Sequence, residues 1–233
     1  MNILNKIKTK DGLIISSFIL IEFCLWIPIL IFSIKPYYPS YEHIACCLKI
    51  SSIVILPVVA FILKKNEIFI GALLATIGAD VFLSYIRQHN PSFDAQMVGL
   101  VFFLLVQIIF AIYFYVISKN KKRQLYITIA RVVFMIIFAC LALLLPKHGP
   151  KHFIMAIYAP NIILNAVCAG LEKKYFMMAG IIVYAISDLF VALGNLSINL
   201  PFSFSWLLYL PANVMLIISE DTGSYFINKR LIK

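Results

Sequence analysis

Two carboxylates, Asp80 and Asp188, stand alone in long apolar stretches and are the residues best placed to do chemistry. They sit in GALLATIGADVFLSYIRQ and AGIIVYAISDLFVALGN. An ionised carboxylate at the centre of a membrane helix costs roughly 2.5–3.5 kcal/mol on insertion scales. Each therefore needs a partner, a proton or a task. Two carboxyls in a dry setting can divide into one acid and one base. That division suits proton-transfer catalysis or a proton relay in transport. The alternative for the first is a structural ion pair between Asp80 and Lys49.

Other polar side chains recur at helical spacing around these two. Thr76, Asp80, Ser84 and Arg87 follow at steps of four, four and three, which sets one stripe on an α-helix. Tyr184, Asp188 and Asn195 share a face, as do Tyr158, Asn161 and Asn165, and Trp206, Tyr209, Asn213 and Glu220. Gln107 is a single polar residue among Phe102, Phe103 and Phe110, and Lys49 shares a face with Ser52. Lone amides also serve as glue between membrane helices. Arg131 can snorkel to the cytoplasmic face or pair with Glu22 at similar depth; each would otherwise be an uncompensated charge, so they are expected to pair as structural partners. Tyr37, Tyr38, Tyr41 and Trp206 are expected in an interfacial aromatic belt.

The elements that position these groups are membrane helices. Of 233 residues, 63% are hydrophobic and 13% charged, about half the charge of a soluble domain. Eight apolar runs are long enough, or nearly so, to span a bilayer: 13–34, 44–63, 68–86, 97–117, 125–145, 152–171, 175–193 and 202–219. The loops are too short for a soluble domain, so residues 1–233 form a single integral membrane domain. The basic start followed by a long apolar run reads as a first span, not a cleaved signal.

Loop charge tests the count. With eight spans, one side holds Lys6, Lys8, Lys10, Lys64, Lys65, Lys119, Lys121, Lys122, Arg123, Lys173, Lys174, Lys229, Arg230 and Lys233. The other holds Lys35, Arg87, Lys147 and Lys151, a score of 14 against 4, with Lys49 and Arg131 inside spans. The positive-inside rule then puts both termini in the cytoplasm of a cell-membrane protein. The net charge of +10 is a matter of topology and anionic lipid, not of nucleic acid. The cysteines, Cys24, Cys46, Cys47, Cys140 and Cys168, lie in apolar runs without a CxxC pair. They read as small apolar core residues. No metal or cofactor is expected.

The halves echo one another. Gly71 precedes Asp80 by nine residues and Gly180 precedes Asp188 by eight; Asp80 precedes Gln107 by 27 and Asp188 precedes Asn213 by 25. Two four-helix halves would restore orientation as a parallel repeat. At about 1.5 Å per residue, Asp80 and Asp188 lie roughly 18 and 20 Å from the basic ends of their spans, with Lys49 and Gln107 near the same level.

At these residues the sequence resembles the YhhN family of membrane lysoplasmalogenases. ALLATIGADVFL, with Phe93 ahead of Gly99-Leu100, resembles the family's small-residue run, Gly-Asp and entry to the fourth helix. Ser187-Asp188 with Asn195 resembles its Ser-Asp motif, and Tyr209-Leu210-Pro211-Ala212-Asn213 its Tyr-x-x-Ala-Gln stretch. Lys49 falls where the family tends to carry Lys. Ala79 stands between Gly78 and Asp80, Gln107 stands where the family often has His, and Asn213 replaces Gln.

The resemblance implies an all-α bundle that hydrolyses the vinyl-ether bond of a lysophospholipid, releasing a fatty aldehyde and a glycerophosphoethanolamine or glycerophosphocholine. Such a bond breaks by protonation at carbon and capture of the oxocarbenium ion by water, work for one carboxylic acid and one carboxylate. Asp80 and Asp188 are the expected catalytic pair. Lys49 and Arg87 are expected to hold the phosphate, with Gln107, Asn161, Asn165, Tyr184, Asn195, Tyr209 and Asn213 around the substrate. No Gly-x-Ser-x-Gly elbow or His-Glu-x-x-His pattern occurs. The rival class is a proton-coupled carrier using the same aspartates; a non-catalytic lipid-binding protein is a third.

Overall fold

The computed structural model describes residues 10–34, 39–86, 94–144, 149–195 and 203–219. These form α1 (Lys10–Ile34), α2 (Pro39–Ile62), α3 (Glu67–Asp80), α4 (Ala95–Ile117), α5 (Lys121–Leu143), α6 (Pro150–Leu171), α7 (Tyr175–Asn195) and α8 (Ser203–Ser219). α3 continues without a break as a π-helical segment, Val81–Ile86. The expected all-α class holds among the described residues. Six helices, α1 to α6 with α3 counted through Ile86, are long and apolar enough to cross a membrane; α7 and α8 are apolar but shorter within the stretches described. This is the architecture of a multi-pass membrane protein.

Local chemistry sets the ends. Asn66, Asp94 and Asn120 cap α3, α4 and α5, each side chain accepting a backbone N–H of the first turn. Pro150 opens α6, where its missing N–H costs nothing. α2 and α6 close alike. Lys64 and Lys173 both take positive φ, 52° and 60°. The next residue donates five positions back in each case, Lys65 to Ala60 and Lys174 to Ala169, both at 2.9 Å.

The helices pack as a ring in the order α1, α2, α3, α4, α6, α7, α8 and back to α1, with α5 outside against α6 and, more lightly, α4. The neighbours repeat between halves: α1–α2 corresponds to α5–α6, α2–α3 to α6–α7, and α3–α4 to α7–α8. These neighbour pairs and the matching ends of α2 and α6 are where the two groups of four helices correspond. α5 is turned inside out relative to a soluble helix. Its buried residues are Gln124, Arg131 and Ala142, whereas Ile129, Val132, Val133, Ile136, Ile137 and Leu141 face outward. A lipid environment explains that inversion.

The stripe expected on α3 runs into the π segment just after Asp80, and Asp80 and Ser84 still line one cavity. Two expectations change. Glu22 and Arg131 do not pair: Glu22 accepts from Ser52 Oγ on α2 at 2.5 Å, and Arg131 is held by α6. The reason is lateral, since α5 packs on α6 and α4 while α1 packs on α2 and α8. Among the cysteines, Cys46 and Cys168 are buried, but Cys24, Cys47 and Cys140 face outward.

Candidate functional site

Glycine sets how closely the helices beneath the site approach. A Cβ on Gly99 of α4 would lie 2.5 Å from Leu83 Cγ and 3.2 Å from the Ala79 carbonyl. One on Gly180 of α7 would lie 3.3 Å from the Ala212 carbonyl of α8. α4 thus lies directly against the turn that carries Asp80, and α7 against α8.

Beside these contacts a small cavity opens, lined by Asp80, Leu83, Ser84, Phe103, Ser187, Asp188, Val191, Ser205, Trp206 and Tyr209. Both aspartates reach it, from α3 and α7, and each carboxylate accepts a phenol O–H. Tyr209 Oη donates to Asp80 Oδ2 at 2.5 Å, and Tyr158 Oη donates to Asp188 Oδ2. Tyr184 backs the first pair, its Oη 3.4 Å from that of Tyr209. Lys49 Nζ sits 4.9 Å from the centre of the Trp206 ring, a cation–π contact one side chain removed from the cavity.

A polar network extends from Asp188 toward the end of the bundle that carries the basic loops. Gln107 Nε2 donates to Tyr158 Oη at 3.4 Å. Asn165 Nδ2 donates to the side-chain and backbone oxygens of Gln107, both at 2.9 Å. The Arg131 guanidinium forks onto Asn161 Oδ1 and Asn165 Oδ1, both at 2.9 Å. Asn161, Asn165, Gln107 and Arg131 are all buried. Their mutual hydrogen bonds offset the cost of that burial.

The residues singled out from sequence thus divide. Asp80, Asp188 and Tyr209 line the cavity, and Tyr184, Gln107, Asn161, Asn165 and Lys49 reach it through one or more intermediaries. Asn213 does not line it; it is buried on α8, and its Nδ2 finds no hydrogen-bond partner among the described residues. Arg87 and the side chain of Asn195 lie outside the described residues, as do Tyr37, Tyr38 and the side chain of Tyr41. Trp206 is 4% exposed and forms a cavity wall instead of an interfacial belt. Sequence reading missed Tyr158 as the partner of Asp188, although its face with Asn161 and Asn165 was visible. It also missed Ser205 and the π turn, for which the sequence carries no local signal.

Everything named in the cavity and its network, from Lys49 on α2 to Tyr209 on α8, falls within one stretch. The model described as the YhhN family matches residues 44–219 of the 233. No curated protein and no solved structure matches. The matched stretch takes in most of the chain and the whole of α3 to α8, and on that ground the chain belongs to the YhhN family.

Proposed function

We propose that this protein is a cell-membrane hydrolase that cleaves the vinyl-ether bond of a lysophospholipid, with Asp80 and Asp188 as its acid–base pair. The observation that carries the reading is that both carboxyls, on different helices, line one cavity and each is held by a tyrosine hydroxyl. Family membership supports it. One carboxylic acid gives its proton to the vinyl carbon distal to oxygen, and the other vinyl carbon becomes an oxocarbenium centre. The other carboxylate takes a proton from water as the water oxygen bonds to that centre, giving a hemiacetal. The second carboxyl then protonates the ether oxygen while the first takes the hydroxyl proton. The carbon–oxygen bond breaks, and aldehyde and glycerol hydroxyl leave with both carboxyls restored. Leu83, Phe103 and Val191 give the cavity apolar walls for the substrate's hydrocarbon chain. Lys49 beside Trp206, with Arg87, supplies positive charge for the lipid phosphate.

The test is incubation of purified protein with a panel of lysolipids, reading out aldehyde. The parent releases aldehyde from vinyl-ether substrates. Asp80→Asn and Asp188→Asn each lower the rate by about two to four orders of magnitude, as for loss of a general acid or base, with melting behaviour near the parent's. Parental rates in both variants would refute the mechanism. One observation favours a carrier as second reading: the π turn beginning just after Asp80 resembles the irregular helices of transport sites. A carrier releases no aldehyde, and the same two variants block uptake or proton flux instead.

A further inference from the structure

A directed line of hydrogen bonds crosses four helices, from Arg131 on α5 through Asn165 on α6, Gln107 on α4 and Tyr158 on α6 to Asp188 on α7. Its direction is fixed at its start. A guanidinium only donates, so the Asn165 oxygen faces Arg131. Asn165 Nδ2 then faces α4, where the acceptor-only backbone carbonyl of Gln107 also receives it at 2.9 Å. The same Nδ2 turns Gln107 Oε1 toward α6, which leaves Gln107 Nε2 to donate to the Tyr158 oxygen. With an N–H already on that oxygen, the phenol hydrogen has Asp188 as its acceptor. Every donor along the line points the same way, and such chains strengthen cooperatively.

The Asp80 side is built differently. The oxygen of its partner Tyr209 is approached by the phenol of Tyr184 at 3.4 Å. A hydroxyl rotates and can either give or accept, so two phenols accommodate Asp80 as an acid or as a carboxylate. The amide line to Tyr158 has one orientation.

We infer that Arg131 is a positioning residue: by orienting Asn165, Gln107 and Tyr158 it directs a hydroxyl hydrogen onto Asp188, making Asp188 the carboxylate that takes the proton from water and Asp80 the acid that protonates carbon. The inference rests on the hydrolase reading above. It also assigns Gln107 and Asn165, which do not line the cavity, a role in the chemical step and not in substrate contact.

The experiment measures kcat and KM for aldehyde release from a lysoplasmalogen in detergent micelles, with melting temperature in parallel. It uses the parent, Arg131→Gln, Arg131→Lys, Tyr158→Phe and the double variant Arg131→Gln with Tyr158→Phe. Loss of one hydrogen bond to a charged group lowers kcat by about ten- to a hundredfold in each of Arg131→Gln and Tyr158→Phe, with KM little changed. The double variant is no slower than Tyr158→Phe, because without the phenol hydrogen Arg131 has nothing to direct. Arg131→Lys, still a donor-only cation, keeps more of kcat than Arg131→Gln. Should Arg131→Gln not fold, Gln107→Leu cuts the line two links along and serves in the same cycle. Losses that multiply in the double variant, or that fall on KM, overturn the positioning role and leave the hydrolase reading standing. A parent that releases no aldehyde overturns the hydrolase reading, and the assignment with it.

Discussion

Tyr209 Oη lies 2.5 Å from Asp80 Oδ2, joining α8 to the point where α3 widens into its π turn. The ring is clamped by Trp206, with centroids 4.9 Å apart, and by Tyr184 at 5.1 Å. The hydroxyl is thus held by packing on both sides, and Asp80 is only 4% exposed. Tyr209→Phe keeps that packing and removes the donor. Leaving a buried acceptor short of a partner costs about 1–3 kcal/mol, so the variant melts lower in detergent. On the proposed hydrolase reading, its kcat for aldehyde release also falls, since Asp80 loses its anchor. Unchanged melting and rate would show that the bond contributes to neither.

Two glycines, Gly99 against this turn and Gly71 near the start of α3, should behave in opposite ways. Gly99→Ala pushes a methyl into Leu83 and toward the Ala79 carbonyl, next to Asp80. Over-packing of this kind costs about 1–3 kcal/mol, and activity falls with stability because Leu83 lines the cavity. Gly71→Ala meets nothing within 4 Å, and alanine is favoured over glycine in a helix by about 1 kcal/mol, so it is neutral or stabilising. Melting curves of the two variants decide the matter; equal destabilisation would mean that the α3–α4 approach does not limit the fold.

At the basic end, Glu172 ties the α6–α7 connection to the α4–α5 connection. Its carboxylate accepts from Ser118 Oγ at 2.6 Å, Gln124 Nε2 at 3.3 Å and the Arg123 guanidinium. It caps the C-terminus of α6, where a negative charge is otherwise unfavourable. Burial pushes the carboxyl up, but the hydrogen bonds from Ser118, Gln124 and Arg123 and the charge of Arg123 outweigh it and hold it below the usual 4.5. With the folded value below the unfolded one, the stabilisation is present in full above the unfolded value and is lost as pH falls through the folded value. Parent and Glu172→Gln should therefore differ in melting temperature at neutral pH and converge in acid below the usual carboxylate range. A gap that persists there would show that the clasp does not work through the charge.

Height was legible in the sequence, and direction was not. Hydropathy placed all eight helices close to their observed limits, and counting residues placed Asp80 and Asp188 at one depth. Counting gives no information on which helix is next door. Counting set Glu22 and Arg131 at one level, yet they face Ser52 and the asparagines of α6, because the ring closes α1 onto α8 and leaves α5 outside. Trp206 misled for the same reason: an aromatic near a span end belongs at the interface only if it faces lipid. Tyr158 was within reach, since α6 and α7 are consecutive, but a phenol draws less notice than the amides beside it. The π turn has no proline or glycine pair within it to announce it in the sequence.

Orientation follows from charge and can be checked on two exposed positions. Lys173, at positive φ after α6, lies among the basic loops; Asp94, the cap of α4, lies at the opposite end with Lys151. From the 14-to-4 distribution of Lys and Arg, the positive-inside rule predicts that the first end is cytoplasmic. Each site is exposed, the Asp94–Lys151 pair is worth little at a surface, and losing the Asp94 cap costs about 1 kcal/mol, so the two cysteine variants should still fold. In intact cells an impermeant thiol reagent should label Asp94→Cys and leave Lys173→Cys unlabelled until the membrane is permeabilised. The parent's Cys24, Cys47 and Cys140 face outward from within helices and set the background. Reversed labelling would invert the topology while keeping the alternation, and equal labelling of the two sites from outside would break the eight-span count itself.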